Sequence, residues 1–126
     1  MTKRVFVVED NDLNRKLFCD LLVAHGFVVE PNADGNDFIE RAAAFAPDLV
    51  VMDIQLPELS GISLIEAMRS DTRLAAVPVL AVTAYAGKGD EERIRVAGAE
   101  GYLAKPVSIA AFMAAVTRLL QGCVVA

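Results

Sequence analysis

Five residues of this chain could do ionic chemistry together if the fold gathered them: the acids Glu9, Asp10 and Asp53, the hydroxyl of Thr83 and the ammonium of Lys105. Carboxylates brought together repel, by about 4 kcal/mol for two unit charges about 4 Å apart at an effective dielectric of about 20. Lys105 offsets one charge, and an oxygen-seeking divalent ion offsets two more. Carboxylates with carbonyls and waters suit Mg²⁺ rather than zinc. An acidic pocket with Mg²⁺, a hydroxyl and a lysine is what phosphoryl transfer needs, with the Asp53 carboxylate as nucleophile and an acyl phosphate as product. Each residue also has an ordinary explanation: Asp53 and the Glu9-Asp10 pair as turn residues, Thr83 as a helix cap, Lys105 as a surface charge beside Pro106. The elements that carry them decide between these readings.

The central stretch is Leu49-Val50-Val51-Met52, an unbroken apolar run that delivers Asp53 into a loop ending at Pro57. Such a run bounded by turn signals predicts a strand covered on both faces, as in the middle of a parallel sheet. Ligands and chemistry collect beyond the carboxyl ends of such strands. A strand over 3–8 stops at Glu9-Asp10, and Asn11 caps a helix over 13–25 carrying Leu13, Leu17, Phe18, Leu21 and Leu22, closed by Gly26. A weak strand over 27–30 leads to a turn with Pro31, Asn32, Asp34 and Gly35, then a helix through Phe38, Ile39, Ala42, Ala43 and Phe45 that Pro47 ends. After Asp53 come a helix over 62–70, an apolar strand over 77–83 and a charged helix over 88–97. That helix has few apolar residues and is expected to be the least firmly held. A short strand over 101–104 runs into Lys105-Pro106, and Ser108 caps a last helix with Phe112, Met113, Val116, Leu119 and Leu120 inward. Five strand-helix units in strict alternation imply an α/β fold: a parallel sheet with helices on both faces and right-handed crossovers. Glu9, Asp10, Asp53, Thr83 and Lys105 then fall at the same edge.

At 126 residues the chain is the size of one domain, and 55% hydrophobic content fits a packed core. The net charge of -5 and pI near 4.8, with no basic cluster, argue against nucleic acid and for protein partners. No leader and no long apolar run is visible, so a cytoplasmic protein without a membrane span is expected. Cys19 and Cys123 have neither zinc nor disulfide spacing. The last four residues, Cys123-Val124-Val125-Ala126, have the form of a prenylation signal but lack the polybasic segment that usually accompanies one. His25 reads as a surface residue at a helix end.

Glu9-Asp10-Asn11, Met52-Asp53-Ile54-Gln55-Leu56-Pro57 followed by Ser60-Gly61, Val82-Thr83-Ala84 and Ala104-Lys105-Pro106 together resemble the receiver domain of bacterial two-component response regulators. The likeness runs over essentially the whole chain. Within the family, these motifs and residues 86–95 are similar to a stand-alone regulator of cell division and polarity.

The resemblance implies a flavodoxin-like (βα)5 fold, five parallel strands in the order 2-1-3-4-5 sandwiched by five helices. Residues 1–121 would form the receiver domain, 122–126 a short tail, and no output domain would follow. It implies Asp53 as phospho-acceptor and Mg²⁺ as cofactor. Asp10 and Asp53 would ligate the metal, Glu9 would act on it through water, and the Gln55 carbonyl would complete the set. Thr83 and Lys105 would contact the phosphoryl group, Tyr102 would be the aromatic switch, and Lys105-Pro106 would be a cis peptide. The donor would be a histidine kinase or a histidine phosphotransfer protein docking at the first helix near Asn14, Arg15 and Phe18. The target would be a protein bound through the fourth helix, fifth strand and fifth helix, and the chain a monomer or weak dimer. The implied role is a signalling switch, not an enzyme beyond self-phosphorylation and autodephosphorylation, in cell-division control or as a phosphorelay intermediate in another pathway.

Glu9 departs from the family, where many members carry a second aspartate. Gln55 and Tyr85 flank the route of the hydrolytic water and are expected to tune dephosphorylation. Two rivals share the architecture. An aspartate-based phosphohydrolase resembles Asp-x-Asp, with a second acid where this chain has Gln55, which cannot titrate. A flavodoxin-like cofactor module would want a hydroxyl or glycine-rich phosphate loop where this chain has Glu9-Asp10.

Overall fold

The computed structural model describes residues 2–84 and 88–122; Tyr85 and the Cys123–Ala126 tail lie outside the described residues. The elements alternate as expected: β1 (Arg4–Val8), α1 (Asp12–Ala24), β2 (Val28–Asn32), α2 (Phe38–Phe45), β3 (Leu49–Asp53), α3 (Gly61–Ser70), β4 (Val79–Thr83), α4 (Lys88–Ala97), β5 (Gly101–Ala104) and α5 (Ile109–Gly122). All strand pairs are parallel, in the order β2-β1-β3-β4-β5. The resemblance implied this order. Among the described residues no helix is long and apolar enough to cross a membrane.

Alternate strand residues face opposite ways, which divides the core in two. Phe6, Val8, Val50, Met52, Val79 and Ala81 face α2, α3 and α4. Val5, Val7, Leu49, Val51, Leu80 and Val82 face α1 and α5. Phe6 meets Phe38 edge-on at 5.7 Å on the first side, and Phe18 stacks on Phe112 at 4.5 Å on the second. β3 and β4 are buried at every position, as continuous apolar runs require.

Local signals behave as their chemistry dictates. The Asn11 side chain accepts from the Asn14 N–H, the Ser60 hydroxyl from Ile62 and the Ser108 hydroxyl from Ala111, so each opens a helix. His25 closes α1, exposed, its Nδ1 2.8 Å from the Leu21 carbonyl.

Three expectations are corrected. Pro31 and Asn32 belong to β2, not to a turn: β2 is an edge strand paired with β1 alone, and an edge tolerates a residue without an N–H. β4 starts at Val79 rather than at 77, because the Val77 N–H is spent on the Leu74 carbonyl and Pro78 offers only its carbonyl, to Val50. The apolar face of α1 is narrower than its spacing suggests. Phe18 and Leu22 are buried, whereas Leu13 is 79% and Leu17 38% exposed. Among the described side chains of α4, Ile94 and Ala97 are buried and Val96 is exposed.

Gly61 fixes how β3 hands over to α3. Its N–H donates to the Ile54 carbonyl, and a Cβ at this position would lie 2.4 Å from the Asp53 carbonyl oxygen and 2.7 Å from the Ile54 Cα. Both atoms are backbone, so relief must come from moving the Asp53 loop. Gly61→Ala should therefore destabilise the fold by about 1–3 kcal/mol, read as a lower urea midpoint at unchanged m-value.

Candidate functional site

The site lies at the carboxyl edge of the sheet because β1, β3, β4 and β5 are neighbours there and each ends at, or one residue before, a polar side chain. Pairing continues just past the strands and holds the turns. Glu9 N–H donates to the Asn32 carbonyl, Ile54 N–H to Val82, and Lys105 N–H to Thr83 at 2.7 Å. Glu9, Asp53 and Thr83 are buried, and Asp10 is partly exposed.

Lys105 reaches inward from a cis Lys105–Pro106 peptide. Its Nζ lies 3.1 Å from Glu9 Oε1, 3.3 Å from Glu9 Oε2 and 3.4 Å from Asp53 Oδ2. Asp53 Oδ1 accepts from the Gln55 N–H at 3.0 Å, and Glu9 Oε2 accepts from the Asn11 N–H at 3.1 Å. Glu9, Asp10 and Asp53 each offer one oxygen, all within 4.8 Å of one another. Glu9 Oε1 is buried without a hydrogen bond of its own despite the nearby ammonium. A buried carboxylate oxygen left in this state calls for a cation, and an all-oxygen donor set suits Mg²⁺.

The electrostatics agree. Burial first, then the Glu9 and Asp10 carboxyls, push the Asp53 carboxyl up to about 8 against the opposing pull of Lys105. Burial draws the Lys105 ammonium down, but Asp53 and Glu9 outweigh it and hold the lysine above its ordinary value. Both shifts have one origin, more carboxyls than cations in a buried pocket.

Tyr102 lies opposite Ala81 in the β4–β5 register, on the face carrying α3 and α4, two residues before the level of Thr83. Burial, then Glu91 and Asp90 of α4, push its phenol up. Tyr102 and Thr83 thus share one side of the sheet.

Two expectations about side chains change. Phe18, expected at the docking surface, lines the cleft beside α1 but is only 2% exposed and stacks on Phe112; Leu13, Leu17 and Val23 are the large apolar residues that α1 exposes. Arg15 folds back onto the β1–α1 loop, donating to the Glu9 carbonyl at 3.0 Å and pairing with Asp12 at 2.6 Å. It props the acidic turn. Its place in the first turns of α1, facing that loop, is the signal that could have found it. The Gln55 side chain spans from the β3–α3 loop to β4, its Nε2 donating to Thr83 Oγ1 and its Oε1 accepting from the Ala84 N–H at 2.9 Å. No local pattern links residues so far apart in the chain.

The profile of the response regulator receiver domain family matches residues 5–117. The chain is a response regulator receiver domain. The polar-differentiation response regulator DivK of Brucella ovis is 49% identical over 113 residues, covering 90% of this chain and 92% of that protein, and DivK of Brucella anthropi is 48% identical over the same span. Among solved structures, the receiver domain of a Pseudomonas aeruginosa sensor histidine kinase, with magnesium coordinated in its active-site cleft, superposes with a TM-score of 0.86 at 32% identity over 96% of this chain and 99% of that one. The chemotaxis protein CheY4 of Vibrio cholerae, at TM-score 0.89, 24% identity and coverage of 94% and 99%, speaks for the fold alone.

Folded receiver keeps the Asp53 proton up to about 8, whereas the exposed carboxyl loses it near 3.8. The folded state then binds the extra proton between those values, so metal-free stability should fall as pH rises through that window. The Lys105 contribution lies above 10.5, outside it. Urea midpoints taken with a chelator at about pH 5 and about pH 8 should show the decline in the wild type and a much flatter response in Asp53→Asn.

Proposed function

We propose that the protein is a phospho-accepting switch in which the Asp53 carboxylate takes a phosphoryl group from a phosphohistidine of a histidine kinase or phosphotransfer protein. The observation that carries this is the Lys105 ammonium, set between Glu9 and Asp53 within a cluster of three acids at the strand ends. An Asp53 oxygen attacks phosphorus, the phosphorus–nitrogen bond to the donor imidazole breaks, and that nitrogen takes up a proton. Lys105 turns from the carboxylates to one phosphoryl oxygen and the Thr83 hydroxyl reaches another. Mg²⁺ would be held by Asp10, Asp53 and the Gln55 carbonyl, with Glu9 acting through water, and when bound it neutralises charge on the carboxylates and the phosphoryl oxygens. Tyr102 would then turn toward the space that Thr83 leaves.

The downstream role follows the DivK relatives, whose name carries polar differentiation. We assign this chain to cell-division or polarity control in the cytoplasm, signalling as a monomer or weak dimer by a protein contact on α4, β5 and α5, with residues 1–121 as the working domain. The exposed Val96 and Ile109 supply apolar surface there. Donor docking falls at α1, where Asn14, Leu17 and the edge of the buried Phe18 line a cleft with Lys105, Pro106 and Val107.

Incubation with acetyl phosphate and Mg²⁺ should add the mass of one phosphoryl group to the intact protein, and Asp53→Asn should add none while melting as a folded protein. Lys105→Met should slow uptake about a hundredfold. Label persisting in Asp53→Asn would refute the assignment, and repeated turnover of phosphate esters would favour a phosphohydrolase.

A further inference from the structure

We infer that the Gln55 carboxamide is a resting-state latch on Thr83, a positioning residue that sets how readily the hydroxyl is released to a phosphoryl group; this rests on the phospho-acceptor reading above. An amide N–H can be satisfied only by an acceptor, so the bond from Ala84 N–H fixes the orientation of the Gln55 amide. Its Oε1 must lie on the Ala84 side and its Nε2 on the Thr83 side. One side chain from the β3–α3 loop thereby holds two successive positions of the β4 end, the Thr83 hydroxyl and the Ala84 backbone.

The Thr83 lone pair that faces Gln55 sits in a buried residue, where a hydrogen bond costs more to leave unmade than at the surface. The backbone next to Gln55 is anchored separately. Its N–H is held by Asp53 Oδ1, and the following turn is tied by the Gly61 N–H to Ile54. The side chain can thus let go without disturbing Asp53. It also has somewhere to go, since a cleft of about 190 Å³ opens beside it, lined by Ile54, Ser60, Ile62, Thr83, Arg93 and Ile94 under the first turns of α4. Gln55 at rest and the phosphoryl group after transfer are alternative engagements of the Thr83 hydroxyl. An interaction present in only one state biases the equilibrium by its own strength.

Removing the latch while keeping the bulk, as in Gln55→Met, should raise the initial rate of phosphoryl uptake from acetyl phosphate by about two- to tenfold, the range for one net hydrogen bond. The gain should vanish in a Thr83→Ala background, because nothing is then latched. Amide hydrogen exchange of Ala84 in the metal-free, unphosphorylated protein should accelerate in Gln55→Met by a similar factor. A side chain acting only on water access would give the same gain with or without the Thr83 hydroxyl and leave Ala84 exchange unchanged, and either result overturns the latch. Wild-type protein that takes no phosphate would instead overturn the phospho-acceptor reading, while the exchange measurement still reports on the latch itself.

Discussion

A single ammonium between two buried carboxylates is the constraint on which this molecule turns. Glu9 and Asp53 are each 1% exposed, and a buried charge is expensive unless it is paired. Lys105 pairs with both but cannot neutralise both, and Asp10 adds a third acid at the rim. The deficit expresses itself as a carboxyl that keeps its proton and as a carboxylate oxygen without a hydrogen bond. Both follow from an excess of acids over bases in one buried pocket.

Sheet order is what makes that arrangement possible. β1, β3, β4 and β5 are consecutive in space, so the acids, the hydroxyl and the lysine come from adjacent strand ends. β2 sits on the far side of β1 and contributes only a carbonyl, which holds the Glu9 backbone. Hydrogen bonds beyond the strands then aim the turns. Pro106, Gly61 and Arg15 serve the same purpose by different means: a cis bond, the absence of a side chain and a guanidinium that gathers loop carbonyls.

The two sides of the sheet differ in how tightly they hold their helices. α1 and α5 meet through the stacked Phe18 and Phe112 and a continuous aliphatic layer. α4 buries Ile94 and Ala97 and turns charged residues outward, while its far end is tied by Arg69, which donates to the Gly98 carbonyl and pairs with Glu100. α4 is the helix beside Thr83 and Tyr102.

Alternation of strands and helices, the buried character of β3 and β4, the caps Asn11 and Ser108, and the gathering of Glu9, Asp10, Asp53, Thr83 and Lys105 at one edge were all legible in the residues. Each follows from period, local hydrogen bonding or the rule that functional groups sit at strand ends, and the strand order came with the family resemblance. What remained hidden depended on distant neighbours. Spacing marks Leu13, Leu17, Phe18 and Leu22 alike as apolar, but only the docking of α1 beside α5 decides that two are buried and two exposed. Pro31 reads as a turn until β2 is known to be an edge. The turn of Arg15 toward its own loop, the bond from Gln55 to Thr83 and the bare oxygen of Glu9 are products of packing in three dimensions. Local sequence carries the chemistry of each group, and only tertiary contact decides which groups share a pocket and which are left short of a partner.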